Sequence, residues 1–300
     1  MGPVRFGVAP IAWSNSDLPQ LGGETTLETC LRESRKAGFS GTETGVKFPM
    51  DARVLGPQLA SHKLKLVSGW FSGELLKRSV KAEQSRMTAQ METFKALGAP
   101  VLVYAETTGT VQNKIDAPLS TRPRLSEAEF RDYGKKLTEL AEWMADFGVP
   151  MAYHHHMGTV VETQREIDLL MANTGEAVGL LFDTGHLRFA GGDIAATLKK
   201  HARRINHVHC KDLRWDVLKA ARQKDQSFLA AILDGVFTVP GDGFIDYHEV
   251  ARLLADIGYQ GWVVVEAEQD PAKAPPYEYS RMGYRHLKSA FEAAGYTIIP

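Results

Sequence analysis

Short apolar runs alternate with longer amphipathic stretches from one end of the chain to the other. The runs at 4–9 (VRFGVA), 40–44 (SGTET), 64–68 (LKLVS), 100–105 (PVLVYA), 150–154 (PMAYH), 178–183 (VGLLFD), 205–209 (INHVH) and 261–266 (GWVVVE) predict strands. Helices are expected between them, near 25–37, 51–61, 80–97, 126–147, 162–173, 193–200, 246–257 and 278–294. Ala37-Gly38, Leu97-Gly98, Phe147-Gly148 and Ile257-Gly258 each read as a helix end just before a strand. Ser126 and Glu129 stand at capping-box spacing before the stretch 126–147. In 80–97, Met87, Met91, Phe94 and Leu97 fall on one stripe, the mark of a helix lying on a core.

Eight strands alternating with eight helices predict an α/β fold, a closed (β/α)8 TIM barrel forming a single domain over 1–300. An open doubly wound sheet is the second choice, but no G-x-G-x-x-G follows the first strand. Two connections, 105–125 and 210–245, are long, and both follow strands. In a barrel that places them on the active-site face, as lids or walls. The second contains KAARQKDQSFLAAIL, which predicts an inserted helix.

The chemistry sits where the later strands end. Asp183 closes LLFDTGH, His209 closes INHVHCKD, and Glu266 closes GWVVVEAE. Strand ends converge on one face of a barrel, so these three are expected to share one divalent metal ion. Each has a plainer alternative: Asp183 could cap the next helix, Glu266 could sit in a salt bridge, and His209 could be a core histidine. Alternation puts His207 and His209 on one side, with His209 nearer the strand end. His186 lies one turn beyond Asp183, and Lys211 and Glu268 stand just past the other two strands. The segment YHHHMGTVVET (153–163) offers His154, His156 or Glu162 as a fourth ligand, and the residues alone do not choose.

Glu43 ends the second strand, Lys47 follows on its loop, and the loop 11–23 contains Trp13 and Asn15. These groups suit a sugar-like ligand: polar side chains for hydroxyls and Trp13 for a ring face, or simply for packing. His154 and His186 join them as substrate-contact candidates, while His156, Glu268 and Lys211 are the candidate acid–base groups.

Composition narrows the class. The 300 residues are 44% hydrophobic and 24% charged, with a formal net charge of −1. That balance gives no basic field for nucleic acid. Cys30 and Cys210 are too few for a disulfide framework and are expected as reduced thiols. MGPVRFGVAPIAW lacks an apolar signal core and no stretch is long and apolar enough to span a bilayer, so the expectation is a cytoplasmic enzyme without a membrane partner. No nucleophile elbow, P-loop or C-x-x-C pair is present.

GFSGTE (38–43), FDTGH (182–186), HVHCKD (207–212) and GWVVVE (261–266) resemble the xylose-isomerase-like barrels of sugar isomerases, epimerases and dehydratases. WSNSDLPQLGG (13–23), GFSGTETGVKFP (38–49), YHHHMGTVVET, DTGHLRFAGGD (183–193) and VEAEQDP (265–271) resemble the inosose dehydratase family more closely. The resemblance implies a lyase of inositol catabolism that removes water from 2-keto-myo-inositol (scyllo-inosose), with a keto-sugar isomerase or epimerase as the alternative. It implies Mn²⁺ or Co²⁺, with Zn²⁺ an option, and glutathione as a further cofactor. The expected partner is a small keto-cyclitol, and a homo-oligomer is an open option. Many members of the superfamily carry a metal-binding Glu at the end of the fifth strand. His154–His156 occupy that place here, so the resemblance makes Glu162 the first choice for the fourth ligand, with His156 the first choice for the base.

Overall fold

The computed structural model describes residues 2–300. Among them twelve strands form: β1 Pro3–Val8, β2 Gly41–Thr42, β3 Lys65–Leu66, β4 Trp70–Gly73, β5 Leu102–Glu106, β6 Met151–His154, β7 Val178–Asp183, β8 Ile205–Cys210, β9 Asp212–Leu213, β10 Phe237–Thr238, β11 Gly261–Val265 and β12 Thr297–Ile298. The main sheet runs β3-β2-β1-β11-β8-β7-β6-β5-β4, with β12 beside β1. Its pairings are parallel.

The two ends of that path are one passage of chain, which closes the sheet. β3 pairs with β2 and β4 pairs with β5. Between them the bonding continues: Val67 N–H donates to Thr42 O at 2.9 Å, Thr44 N–H to Ser68 O at 2.9 Å, and Val103 N–H to Gly69 O at 3.0 Å. The open doubly wound alternative is therefore excluded, and the architecture is the (β/α)8 barrel.

The strands are buried on both faces, as a parallel sheet wrapped in helices requires. Outward-facing residues join the helices in one large core, and Met87, Met91 and Phe94 are fully buried there, with Leu97 at its edge. Two smaller clusters fill the barrel interior: Ala9, Val67, Trp262 and Val264, and Val101, Val103, Ala152 and Leu181. Alternation places Ala152, Leu181 and Val264 on the same side as His154, Asp183 and Glu266, so each inward strand ends in a polar group above an apolar plug.

Local signals behave as the residues dictate. The Ser126 capping box is formed on both sides. Gly38, Gly98, Gly148 and Gly258 all take positive φ just past their helices. One irregularity is decisive for the site. Between β7 and β8 the register shifts at Leu180/Leu181, so that Asn206 is skipped and Asp183 comes to lie beside His209. A one-residue slip sends every later side chain to the other face of a strand.

The connection after β8 differs from the single expected helix. It forms two, Trp215–Gln223 and Phe228–Leu233. Asp225 turns the chain with φ 47°, and Ser227 caps the second helix by accepting from Ala230 N–H. The antiparallel pair β9–β10 brackets them. That pair, β12 and the four-residue β4 have no counterpart among the expected strands, whereas β2 and β3 fall within the expected runs 40–44 and 64–68. No helix among the described residues is long and apolar enough to cross a membrane.

Candidate active site

His154 ends β6, Asp183 ends β7, His209 lies one residue before the end of β8, and Glu266 follows β11. These four strands are consecutive in the sheet. One ligand atom from each of the four lies within 4.8 Å of the others. His154 Nε2 is 3.7 Å and His209 Nδ1 3.6 Å from Asp183 Oδ2, and His209 Nδ1 is 3.0 Å from Glu266 Oε2.

The local bonding leaves lone pairs aimed at this centre. His154 Nδ1 lies 2.6 Å from His155 O, and since a carbonyl only accepts, Nδ1 carries the proton and Nε2 is bare. His209 Nε2 bonds Glu43 Oε1 at 2.9 Å, which turns Nδ1 inward. Asp183 uses Oδ1 to accept from His186 N–H at 2.8 Å. Asp183 Oδ2, His209 Nδ1 and Glu268 Oε2 are buried without a hydrogen-bond partner, the close approach of His209 to Glu266 being out of line for one. Buried polar atoms are rarely left this way. Asp183 Oδ2 and His209 Nδ1, 3.6 Å apart within the cluster, fit a bound cation, and two imidazoles with two carboxylates suit a first-row divalent ion.

Electrostatics agree. Asp183, Glu266 and Glu268 surround the Lys211 ammonium, which touches Glu266 Oε1 and lies 3.4 Å from Glu268 Oε2 and 3.9 Å from Asp183 Oδ2, while Glu43 pairs with His207 and His209. Burial opposes charge on Glu43, Glu266, Glu268 and Lys211. At Glu43 the adjacent His209 and His207 overcome it, and at Glu266 Lys211 and His209 do, so both carboxyls lie well below the usual range. Burial likewise opposes a charged His209, but Glu43 and Glu266 hold its imidazole well above its ordinary value.

Above the cluster opens a cavity of about 610 Å³, lined in part by Asp17, Glu43, Trp70, Gln112, His156 and Glu268. His156 donates from Nδ1 to Met157 O at 2.8 Å, so its Nε2 is bare, 4.0 Å from Glu268 Oε1. Burial beside Lys211 pushes His156 down to about 3, leaving it neutral. Burial pushes the Glu268 carboxyl up to about 8, against the pull of Lys211. Phe228 from the inserted helix and Phe237 pack on His186, and Phe228 also packs on His156, closing the back of the site to water.

Several expected residues lie elsewhere. Glu162 is not in the cluster: its carboxylate pairs with Arg122 Nε at 3.0 Å and accepts from Gly158 N–H at 2.7 Å, four residues beyond the strand-end turn. His154, already in contact range at the strand end, takes the position instead. Trp13 is core, with its indole N–H donating to Glu33 at 2.8 Å, and its ring does not line the cavity. Asn15 accepts from Asp17 N–H and Leu18 N–H and so shapes its own loop. Lys47 is exposed and donates to Gly23 O at 2.7 Å. His186 is buried behind His156 with Lys211 Nζ at 3.0 Å from its Nε2. Burial opposes charge on Lys211, but Glu266, Glu268 and Asp183 around it hold its ammonium well above its usual range.

The cavity also holds groups with no prior signal. Trp70 at the start of β4 presents its ring edge-on to His154 and His156, with centroids 5.7 and 5.5 Å away. It, not Trp13, is the aromatic wall. Thr107, Thr110, Gln112 and Asn113 come from the connection after β5. Its length marks it as a wall, but nothing in its composition picks out these four.

Residues 31–290 match the model of the xylose isomerase-like TIM barrel family. The chain is 50% identical over 295 residues to the rhizopine catabolism protein MocC of Rhizobium meliloti, covering 98% of this chain and 91% of that protein. It is 42% identical over 287 residues to an inosose dehydratase of Clostridium tetani, covering 95% and 96%. A crystal structure of IOLI protein with a bound zinc atom superposes with a TM-score of 0.64 at 20% identity over 97% of each chain, a likeness of fold. The chain belongs to the xylose isomerase-like TIM barrel family, and within it to the group that contains the inosose dehydratases and MocC.

Proposed function

We propose that this protein is a metal-dependent hydro-lyase of inositol catabolism, taking 2-keto-myo-inositol (scyllo-inosose) to a trihydroxycyclohexane-1,2-dione and water. The observation that carries the chemistry is the convergence of His154, Asp183, His209 and Glu266 around unpartnered buried atoms beneath a cavity of polyol size. The substrate rests on the inosose dehydratases that match over nearly the whole chain. The cytoplasm is the proposed compartment, consistent with two buried free thiols.

His154, Asp183, His209 and Glu266 would hold Mn²⁺, Co²⁺ or Zn²⁺, which supplies Lewis-acid polarisation of the substrate carbonyl. Glu43 fixes the tautomer and angle of His209 through its 2.9 Å bond. Trp70 and the Thr107–Asn113 wall seat the ring and its hydroxyls. His156 Nε2, bare and neutral, takes the proton beside the carbonyl. Glu268, protonated in neutral solution, gives a proton to the departing β-hydroxyl, and the enol left behind tautomerises to the dione. Lys211 holds Glu266 and Glu268 in place. The step loses only water, so it balances without glutathione or any redox partner.

The test is purified protein with Mn²⁺ and scyllo-inosose in deuterated water, followed by product mass. A dione lighter by one water and carrying solvent deuterium is expected. An isomer alone, with no loss of water, would move the protein to the isomerase or epimerase class. Rhizopine belongs in the same assay because the relative at 50% identity is named for its catabolism. Turnover of rhizopine with none of scyllo-inosose would change the substrate and keep the site.

A further inference from the structure

Arg122 is a buried guanidinium in the connection after β5, far along the chain from the ligands. Its Nη2 bonds both oxygens of Glu166, at 2.8 and 3.0 Å, its Nε pairs with Glu162 at 3.0 Å, and its Nη1 donates to Thr159 O at 3.0 Å. Glu166 already closes the capping box of the helix Gln164–Ala172 with Thr163. Arg122 therefore ties the wall connection to the turn that follows His154–His156.

Glu162 carries the tie inward. Its Oε2 accepts from Gly158 N–H at 2.7 Å. Gly158 O in turn accepts from Thr110 Oγ1 at 2.9 Å and from Val111 N–H at 3.0 Å. Gly158 has φ +81°, and a Cβ there would lie 2.8 Å from Gln112 N, so only glycine lets the two loops meet so closely. The same turn returns to the acid–base group: His156 N–H donates to Val161 O at 3.0 Å, and Thr159 Oγ1 donates to His156 O at 2.9 Å. Thr110 and Gln112 line the cavity on one side of this seam and His156 on the other.

We propose that Arg122 and Glu162 are positioning residues: a buried clamp that holds the Gly158 turn and thereby sets His156 against the Thr110–Gln112 wall. A surface contact would be too weak for this task, but removing one partner of a buried charged pair leaves the other uncompensated, so the two loops have one joint arrangement. Reacting groups misplaced by about 1 Å can lose roughly 100-fold in rate. The proposal rests on the hydro-lyase reading for its catalytic consequence, while its structural part stands without a substrate.

The experiment compares the full chain with Glu162→Gln, Glu162→Leu and Arg122→Lys. It follows Mn²⁺ affinity by titration, amide exchange at Gly158, and kcat and KM for scyllo-inosose. Glu162→Leu should speed Gly158 exchange and lower kcat roughly 10- to 100-fold with Mn²⁺ affinity unchanged. Glu162→Gln keeps an oxygen for Gly158 N–H and should retain most of kcat. Arg122→Lys keeps the charge but loses the fork, so kcat should fall with Mn²⁺ still bound. Wild-type kcat and exchange in Glu162→Leu, or in Arg122→Lys if the leucine variant does not fold, would overturn the clamp. So would a tenfold or greater loss of Mn²⁺ affinity in Glu162→Gln, which would make Glu162 a ligand. A wild-type protein that leaves scyllo-inosose intact would instead reject the hydro-lyase reading, and Gly158 exchange would still decide the clamp.

Discussion

Asp183 performs two tasks with two oxygens: Oδ1 caps the short helix Thr184–Phe189, and Oδ2 is left free among His154, His209 and Lys211. The capping alternative posed by its sequence position is formed, and the ligand alternative keeps an oxygen open for it. Glu266 is similar, with one oxygen on Lys211 and the other beside His209. This division of labour separates the effects of single substitutions. His154→Ala should lower Mn²⁺ affinity at least tenfold, read as metal content after dialysis, whereas Glu162→Gln should not. Glu43→Gln, which loosens His209 without touching the ion, should cost about 10- to 100-fold in affinity. His156→Gln should keep the metal and lose ~10²–10⁴-fold in kcat. If His156→Gln turns over at the wild-type rate, the base lies elsewhere, with Glu268 next in reach.

At the scale of elements, the helices were legible because their signals are local. Ser126 and Glu129, the stripe of Met87, Met91 and Phe94, and the terminal glycines each act within a turn or two of chain. Ser126→Ala should accordingly cost about 1 kcal/mol of stability, measured by urea unfolding, and leave kcat untouched. The strand ends were legible for the same reason: an apolar run followed by Asp, His or Glu reads the same in isolation. The short pieces were not. β9, β10 and β12 have two residues each and lie outside the apolar runs, unlike β2 and β3, and the break between the two inserted helices falls at Asp225, which takes a positive φ.

For the whole molecule, the Glu43, Asp183 and Glu266 carboxyls gathered near the Lys211 ammonium suit the strand-end cluster to a cation. Chelation should abolish turnover, and Mn²⁺ or Co²⁺ should restore it. It should also lower the melting temperature, because an ion bound only by the folded state stabilises that state in proportion to its occupancy. An unchanged melting temperature after verified metal removal would argue that the cluster holds no ion. The two cysteines test the packing. Burial pushes the Cys30 thiol up to about 12, with Ser34 only partly offsetting it, and holds Cys210 well above its usual value. Neither should react with a thiol reagent in the native protein, and both should react after denaturation.

The sequence by itself determined the barrel and marked three of the four residues that meet at the strand ends, Asp183, His209 and Glu266. Those follow from period, length and residue type, which are properties of short stretches of chain. Only the tertiary structure brings His154, and not Glu162, beside them. The choice depends on Arg122, 40 positions before Glu162 in the chain, which holds the Glu162 carboxylate away from the centre. The same holds for Trp70 replacing Trp13 as the aromatic wall. Both are tryptophans near strand ends, and what separates them is Glu33, which holds Trp13 in the core, and the pair His154 and His156, which Trp70 faces. Contacts between distant segments are set by how the barrel closes and by the register shift between β7 and β8. Neither leaves a mark in any local window of sequence.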